Sequence, residues 1–553
     1  MLFTGVLLVT LFLVLFPIGM LIFYSFSVGP PAGTLQLGLD AWRHALESPT
    51  ILGSLLNTIR LLLAVHLISF PVALGLAWLI ARTDLPGAAA FEFMFWISFF
   101  MPTLAVLLGW IMCLDPEYGV FNSLASALPF VQKGPFNIYS FWGIVWAHLV
   151  SHAVTVKVML LIPTFRNLDG TLEEAALTAG ASRLATFLRI VLPVTLPALV
   201  AILLMAMIRA MQSFEIELVL GPPFRFYVYS TLVYSFIAQE PPDFAGASAL
   251  ATMGLALIVP FIVLQRFLAF RRSYATVSGR MRSNRVRLGA WRIPALIAVT
   301  VAVGALTILP LVFVGLASAM KLFGFFDIPE PWTWDNWLTV FTDETFRGAL
   351  VNTLRMSAGA SVLAVTLLSL IAYFTVRSRY RARALLDFAS WLPSAVPGIL
   401  FGLGLLYVFL ELPFFRPFYG TIWLMILATV VAHMTLGTQL IKNSLLQQSR
   451  ELEEAARMSG AGFLRTMTGV VLPILFPSLV LVAVMSFITS ARDVASVALV
   501  STAGTKTLSL VQLDYMVQGH YGPAAVISLV VVLMSAGLAL LARLFGLRAG
   551  VRS

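Results

Sequence analysis

Residues 172–200 read LEEAALTAGASRLATFLRIVLPVTLPALV, and residues 452–480 read LEEAARMSGAGFLRTMTGVVLPILFPSLV. The two stretches are identical at 15 of 29 positions, at a constant offset of 280. Self-similarity over such a length means that one supersecondary unit has been built twice, so the fold follows from finding the rest of that unit. Upstream, Asn57-Thr58-Ile59-Arg60 is echoed by Asn352-Thr353-Leu354-Arg355. Pro102, in FMPTLAVLLG, is echoed by Pro393, in WLPSAVPGILFG. These offsets, 295 and 291, imply loops of unequal length in the two halves. Between the halves, the basic stretch 271–292 has no apolar run and reads as a linker.

What surrounds the repeat is oil. The chain has 553 residues, 60% of them hydrophobic and 11% charged, with a mean hydropathy of +0.95. Soluble domains carry about 25% charged residues, so this composition excludes a soluble globular protein. A hydrocarbon layer about 30 Å thick, divided by a helical rise of 1.5 Å, asks for about 20 apolar residues per span. Twelve stretches qualify: near 2–25, 54–80, 90–112, 139–162, 191–218 and 245–269, then near 293–318, 349–376, 387–410, 420–440, 472–499 and 522–546. The first lacks a basic leader and an A-x-A-like cleavage site, so it reads as a retained span rather than a signal peptide. The expected fold is therefore an all-α polytopic membrane protein with about 12 transmembrane helices. Six spans per half is an even number, so both halves enter the membrane in the same sense and form two parallel six-helix repeats. The first repeat covers 1–270, with a core at about 53–265. The second covers 293–553, with a core at about 348–545.

Charge placement supports this arrangement. Of 35 Lys and Arg, 23 fall in or beside loops that the twelve-span order puts on one side, and 7 in loops on the other. The positive-inside bias makes the first side cytoplasmic, with both termini there. The net charge of +10 thus reads as membrane anchoring, and no nucleic-acid partner is implied. Cys113 is the single cysteine, so no intrachain disulfide can form, and the six histidines show no metal-ligand spacing.

The quoted stretches fall in the loops 163–190 and 441–470, between the fourth and fifth spans. Thr171, with Glu174 three residues on, can form a capping box, and the acidic pair Glu173-Glu174 suits the first turn of a helix. Glu451 stands where Thr171 stands in the first copy. Leu172, Ala175, Ala176 and Ala179 share one helical face of small side chains, as do Leu452, Ala455, Ala456 and Ser459. Gly180 and Gly460 follow where a left-handed C-cap is expected. Each loop is therefore a short helix, a glycine hinge and a second helix, too small-grained to hold a core and suited to docking in a partner's groove.

The pattern E-A-A, then glycine, then Leu-Pro resembles the cytoplasmic signature loop of ABC importer permeases of the type I (MetI-like) fold. That resemblance implies that Glu173, Glu174, Ala175, Ala176, Gly180, Glu453, Glu454, Ala455, Ala456 and Gly460 couple the chain to a separate ATPase, two copies per permease. It also implies an external solute-binding protein and a place in a bacterial inner membrane. The chain lacks G-x-x-x-x-G-K-[ST], and Gly504-Thr505-Lys506-Thr507 lacks that spacing, so ATP hydrolysis is assigned to the partner and no cofactor to this chain. The double-length layout and SFIAQEPPDFAGASALA (235–251) are similar to ferric-iron importer permeases. Aminoethylphosphonate, thiamine and polyamine permeases share that layout and remain alternatives for the cargo. An ion-coupled secondary transporter would call for inverted repeats, against which the parallel repeat argues.

Charges inside spans are expensive and mark candidate sites. Arg60 and Arg355 are expected to snorkel from span ends, and Lys157 to reach the cytoplasmic edge. Glu215, Glu217 and Asp493 are expected in the outer part of the fifth spans. At the offset of 280, Gln212 and Ser213 correspond to Arg492 and Asp493. Gln212, Ser213, Glu215, Arg492 and Asp493 are the candidate lining of a path or of its outer gate. No residue is assigned to a metal.

Overall fold

A computed structural model describes residues 2–27, 31, 36–130, 134–168, 170–271 and 285–544. Most of the expected linker and both termini, including the side on which they lie, fall outside those residues. The described chain is helical, and the only β pairing in it is isolated bridges. Among the described residues, nine helices are long and apolar enough to cross a membrane, and up to twelve spans result if each of three bent helix pairs is one span.

The first half comprises α1 (Leu2–Tyr24), α2 (Asp40–Glu47), α3 (Pro49–Arg82), the pair α4 (Ala88–Phe100) and α5 (Thr103–Leu114), and α6 (Phe141–Arg166). It continues with α7 (Gly170–Thr178), α8 (Phe187–Ala210), α9 (Glu215–Leu220), α10 (Tyr229–Ala238) and α11 (Phe244–Arg271). The second half repeats the order: α12 (Gly289–Ser318), α13 (Asp335–Thr342), α14 (Glu344–Arg377), the pair α15 (Arg383–Ala395) and α16 (Gly398–Glu411), then α17 (Ile422–Ala432) and α18 (Met434–Leu446). It ends with α19 (Glu451–Met458), α20 (Phe463–Ala491), α21 (Leu508–Val517) and α22 (Tyr521–Leu544).

The longest elements match to the residue. α3 and α14 each have 34 residues, about 51 Å at 1.5 Å per residue, which overshoots the hydrocarbon layer into both interfaces. Both start at a capped N-terminus: Ser48 Oγ accepts from Ile51 N–H, and Asp343 Oδ1 from Thr345 N–H. Three Leu-Pro dipeptides, at 192, 309 and 472, are each preceded by a five-residue π-helical turn. Proline lacks an N–H and its ring crowds the carbonyl one turn back, so the helix widens there.

Three sequence expectations need correction. The stretches 90–112 and 387–410 are not straight spans: α4–α5 bends by 101° and α15–α16 by 114°. The breaks fall at Pro102 and Pro397, which are N-caps in extended backbone. A proline biases its predecessor out of the helical region, and Met101 (ψ 136°) and Val396 (ψ 126°) comply. The structural counterpart of Pro102 is thus Pro397, and Pro393 lies in the 3₁₀ turn Leu392–Ala395. The expected fifth spans, 191–218 and 472–499, end at Ala210 and Ala491. Glu215 and Glu217 consequently lie in the short helix α9, and Asp493 in an irregular segment, beyond them. Lys157 does not snorkel: it is 1% exposed and donates to Ser69 Oγ and Ala153 O, both at 2.8 Å. Arg60 and Arg355 are exposed on α3 and α14, as expected of snorkelling side chains.

The repeat extends to the first span of each half. Trp42 Nε1 donates to Ser25 Oγ, and Trp337 Nε1 to Ser318 Oγ, tying α2 and α13 back to the spans before them. Those first spans cross over. α1 packs against α16 and α12 against α5. Gly404 meets Pro17, and Gly109 meets Pro310, so closely that an added Cβ would lie 2.5 and 2.6 Å from the proline carbonyl oxygens. Each half therefore clasps the other with its first helix, and the core between them is continuous.

Candidate functional site: the paired motif loops and the central interface

The two motif helices are built alike. α7 and α19 end at Gly180 and Gly460, with φ of +86° and +85°. Ala181 N–H donates to Ala176 O, and Ala461 N–H to Ala456 O, the long C-terminal bond of a Schellman cap. The N-terminal expectation is corrected. α7 starts at Gly170 and α19 at Glu451, so Thr171 and Glu451 lie in the first turn instead of before it. Arg450, the residue ahead of α19, makes no side-chain cap.

The adjacent glutamates have separate environments. Glu173 turns inward to an ion pair with Arg82, the last residue of α3. Glu453 does the same with Arg377, the last residue of α14, at Oε1–Nε 2.7 Å. Glu453 Oε2 also accepts from Tyr373 OH at 3.0 Å. Both arginines reach further, Arg82 to Leu168 O and Arg377 to Leu445 O and Gln448 O, so each ties its long helix to the end of the fourth span as well. Glu174 and Glu454 are exposed, as are Ala175 and Ala455, with Ala176 and Ala456 half-buried. The side chain of Leu172 lies outside the described residues. The same loops expose apolar side chains: Leu177 and Leu188 in one, Leu452, Met458 and Leu464 in the other.

The ends of the long helices nearest the fifth-span exits carry the other repeated landmark. Thr58 Oγ1 accepts from Tyr229 N–H at the start of α10, and Thr353 Oγ1 from Leu508 N–H at the start of α21. Asn57 Nδ2 donates to Tyr227 O, and Asn352 Nδ2 to Gly504 O and Lys506 O. The Gly504–Thr507 segment is thus held by an asparagine within the membrane protein itself. One residue on, Ser230 Oγ donates to Ser213 O, and Ser509 Oγ to Ala491 O. α10 and α21 in this way fix the turns that leave the fifth spans.

Those turns meet at the centre. Gln212 Nε2 donates to Ser394 O at 2.7 Å, and Arg492 donates to Phe99 O and Met101 O at 2.9 and 3.3 Å. Each contact joins one half to the broken helix of the other. Glu215 faces Thr103, the first residue of α5, with Asp493 and Arg492 in Coulomb range. Asp493 accepts from Ser496 N–H and Oγ, and His433 Nε2 lies 3.5 Å away. Ser213 Oγ donates to Glu217 Oε2, whose other oxygen pairs with His148 Nε2 at 2.8 Å. The structure therefore brings Gln212, Glu215, Arg492 and Asp493 to one interface. It turns Ser213 and Glu217 toward His148, inside the first half. Sequence reading missed Arg82, Arg377 and Tyr373. A faint signal existed: Arg82 and Arg377 share the offset of 295 with Asn57 and Asn352.

Comparison with known proteins bears on this duplicated architecture. Residues 365–550 match the family described as "Binding-protein-dependent transport system inner membrane component". The chain is 28% identical over 405 residues to "Ferric transport system permease protein FbpB" of Actinobacillus pleuropneumoniae, covering 72% of this chain and 58% of that one. The chain thus spans under two thirds of that relative's length. It is 25% identical to "Probable ABC transporter permease protein y4fN" of Sinorhizobium fredii, over 93% of this chain and 92% of the relative. "Spermidine/putrescine transport system permease protein PotB" of Escherichia coli is 27% identical over 40% of this chain. A solved bacterial alginate ABC transporter in complex with an alginate-bound periplasmic protein aligns with 44% of this chain and 85% of its own, at 20% identity and a TM-score of 0.38.

Proposed function

We propose that this chain is the permease subunit of an ATP-driven importer, with the path for the cargo between its two halves. The observation that carries the reading is the pair of motif loops. Each presents an exposed glutamate, Glu174 or Glu454, on a rim of small and apolar side chains, and each is tied by its other glutamate to a 34-residue helix. Such a loop can accept a push from outside and pass it to the body of the protein. Two loops fit two copies of a separate ATPase, which would bind and hydrolyse the ATP. In this reading the motif loops and both termini face the cytoplasm of a bacterial inner membrane, and a solute-binding protein delivers cargo at the opposite face.

Ferric iron is the favoured cargo, because ferric permeases stand among the relatives that cover most of the chain. Polyamines are the alternative favoured by the PotB relative, with aminoethylphosphonate and thiamine further candidates from the shared layout. The test is reconstitution in proteoliposomes with the candidate ATPase and binding protein. ATP-driven uptake of the cargo is expected, and Glu174→Arg with Glu454→Arg should abolish both ATPase co-purification and uptake. Intact assembly and uptake in that double variant would overturn the docking role.

A further inference from the structure

The central hydrogen bonds form a pattern that goes beyond lining a path. Gln212 and Arg492 occupy the same position in the two halves, 280 residues apart. Gln212 reaches Ser394 O, just before the break at Pro397. Arg492 reaches Phe99 O and Met101 O, just before the break at Pro102. Carbonyls in the last turn of a helix have no amide of their own helix to accept from. At the α15–α16 break some are served from within the same half: Thr435 Oγ1 donates to Ser390 O and Trp391 O. Met101 and Ser394 are served from across the interface, and Phe99, which His152 of its own half also reaches, is served from there as well.

We propose that Gln212 and Arg492 are the two arms of a reciprocal latch, each closing the bent helix of the opposite half, and that each long helix ties its own motif loop to its own arm. This rests on the permease reading and adds to it how the path is held shut. Opening a path between the halves requires these cross-interface bonds to part. The tie runs through repeated contacts. Arg82 holds Glu173 at one end of α3, and Thr58, 24 residues earlier, holds the start of α10. Arg377 and Thr353 do the same on α14, again 24 residues apart. That spacing is about 36 Å of continuous helix. Ser230 and Ser509 then fix the turns from which Gln212 and Arg492 project.

The arms are unequal. Gln212 makes one neutral hydrogen bond. Arg492 makes two bonds from a charged donor and lies 5.8 Å over the Phe99 ring. Charge-assisted bonds are roughly twice as strong as neutral ones, so the Gln212 arm parts first and Arg492 sets the threshold.

The test uses the full chain in proteoliposomes and reads passive leak of a small solute, without ATP. Arg492→Gln, which copies the other arm, should raise leak about tenfold, the effect of roughly 1.4 kcal/mol. Arg492→Lys, which keeps the charge but forms fewer bonds, should fall between, and it guards against a folding artefact. Gln212→Ala should have the smaller effect. In a Cys113→Ser background, Gln212→Cys with Ser394→Cys should cross-link with a short bis-maleimide and suppress leak even with Arg492→Gln present. Wild-type leak in Arg492→Gln and Arg492→Lys, or leak indifferent to the cross-link, would overturn the latch. Because no ATPase enters this assay, its outcome is independent of whether ATP drives uptake.

Discussion

Removing the charge of Glu453 should release α19 while leaving the rest of the fold in place. The carboxylate is 10% exposed and its partner guanidinium 8%. A Glu453→Gln side chain still accepts from Tyr373 but gives Arg377 no counter-charge. At an effective dielectric of about 20, an ion pair some 4 Å apart is worth about 4 kcal/mol, and breaking buried pairs costs about 3–5 kcal/mol. The retained carbonyl acceptors Leu445 O and Gln448 O soften the loss, so about 2–3 kcal/mol is expected, a 30- to 150-fold fall in protection. Hydrogen–deuterium exchange of the amides of residues 451–459 in the solubilised chain reads this directly. Glu454→Gln, at an exposed position, should stay within about 0.5 kcal/mol. In the double variant with Arg377→Gln, protection should recover in part, giving a coupling of about 1–3 kcal/mol. Equal effects at Glu453 and Glu454, or strict additivity with Arg377→Gln, would refute the division of labour between the two glutamates.

Gly109→Val and Gly404→Val should each cost about 1–3 kcal/mol by overpacking and lower the thermal transition of the solubilised chain, since both glycines press on a proline backbone across the halves. Gly315→Val, with nothing within 4 Å of its Cβ, should not. Gly460→Ala should cost about 1–2 kcal/mol because φ is +85°, read as faster amide exchange in α19, whereas Gly462→Ala at φ −68° should be near neutral. Lys157→Met should raise the thermal transition by about 1 kcal/mol equivalent, because a buried ammonium with no acidic partner among the described residues gives way to an apolar side chain of like volume. A lowered transition would mean that its bonds to Ser69 and Ala153 outweigh its desolvation.

The repeat, the span count and the helix–glycine design of the motif loops were legible because they depend on local chemistry: apolar length, Leu-Pro, and a glycine where φ must be positive. The bends at Pro102 and Pro397 were half legible. Proline was seen, but a hydropathy window runs straight over a break that leaves composition unchanged. WLPSAVPGILFG holds two prolines, and the start of α16 at Gly398 shows that Pro397, which shares the offset of 295 with Asn57 and Asn352, is the residue equivalent to Pro102. The inward turn of Glu173 and Glu453 was not legible, because two adjacent carboxylates point about 100° apart on a helix and nothing local says which faces the body. Lys157 escaped for a similar reason: depth along a helix says nothing about which neighbour, here Ser69, fills the space beside it.

The exchange of first helices carries a consequence for how the chain is made. α12 finds its seat on α5 already in the membrane, since α5 precedes it in sequence. α1 also packs on α11, but its seat on α16 comes late: Gly404, against which Pro17 rests, is synthesised almost 390 residues later. At translation rates of about 5–20 residues per second, roughly 20–80 s pass before α16 exists. During that time the face of α1 that will meet α16 stands open in lipid. This contact between the halves is therefore completed by α1 closing on the later α16. Truncation before residue 398 should leave α1 accessible to membrane chaperones and proteases that the full-length chain excludes.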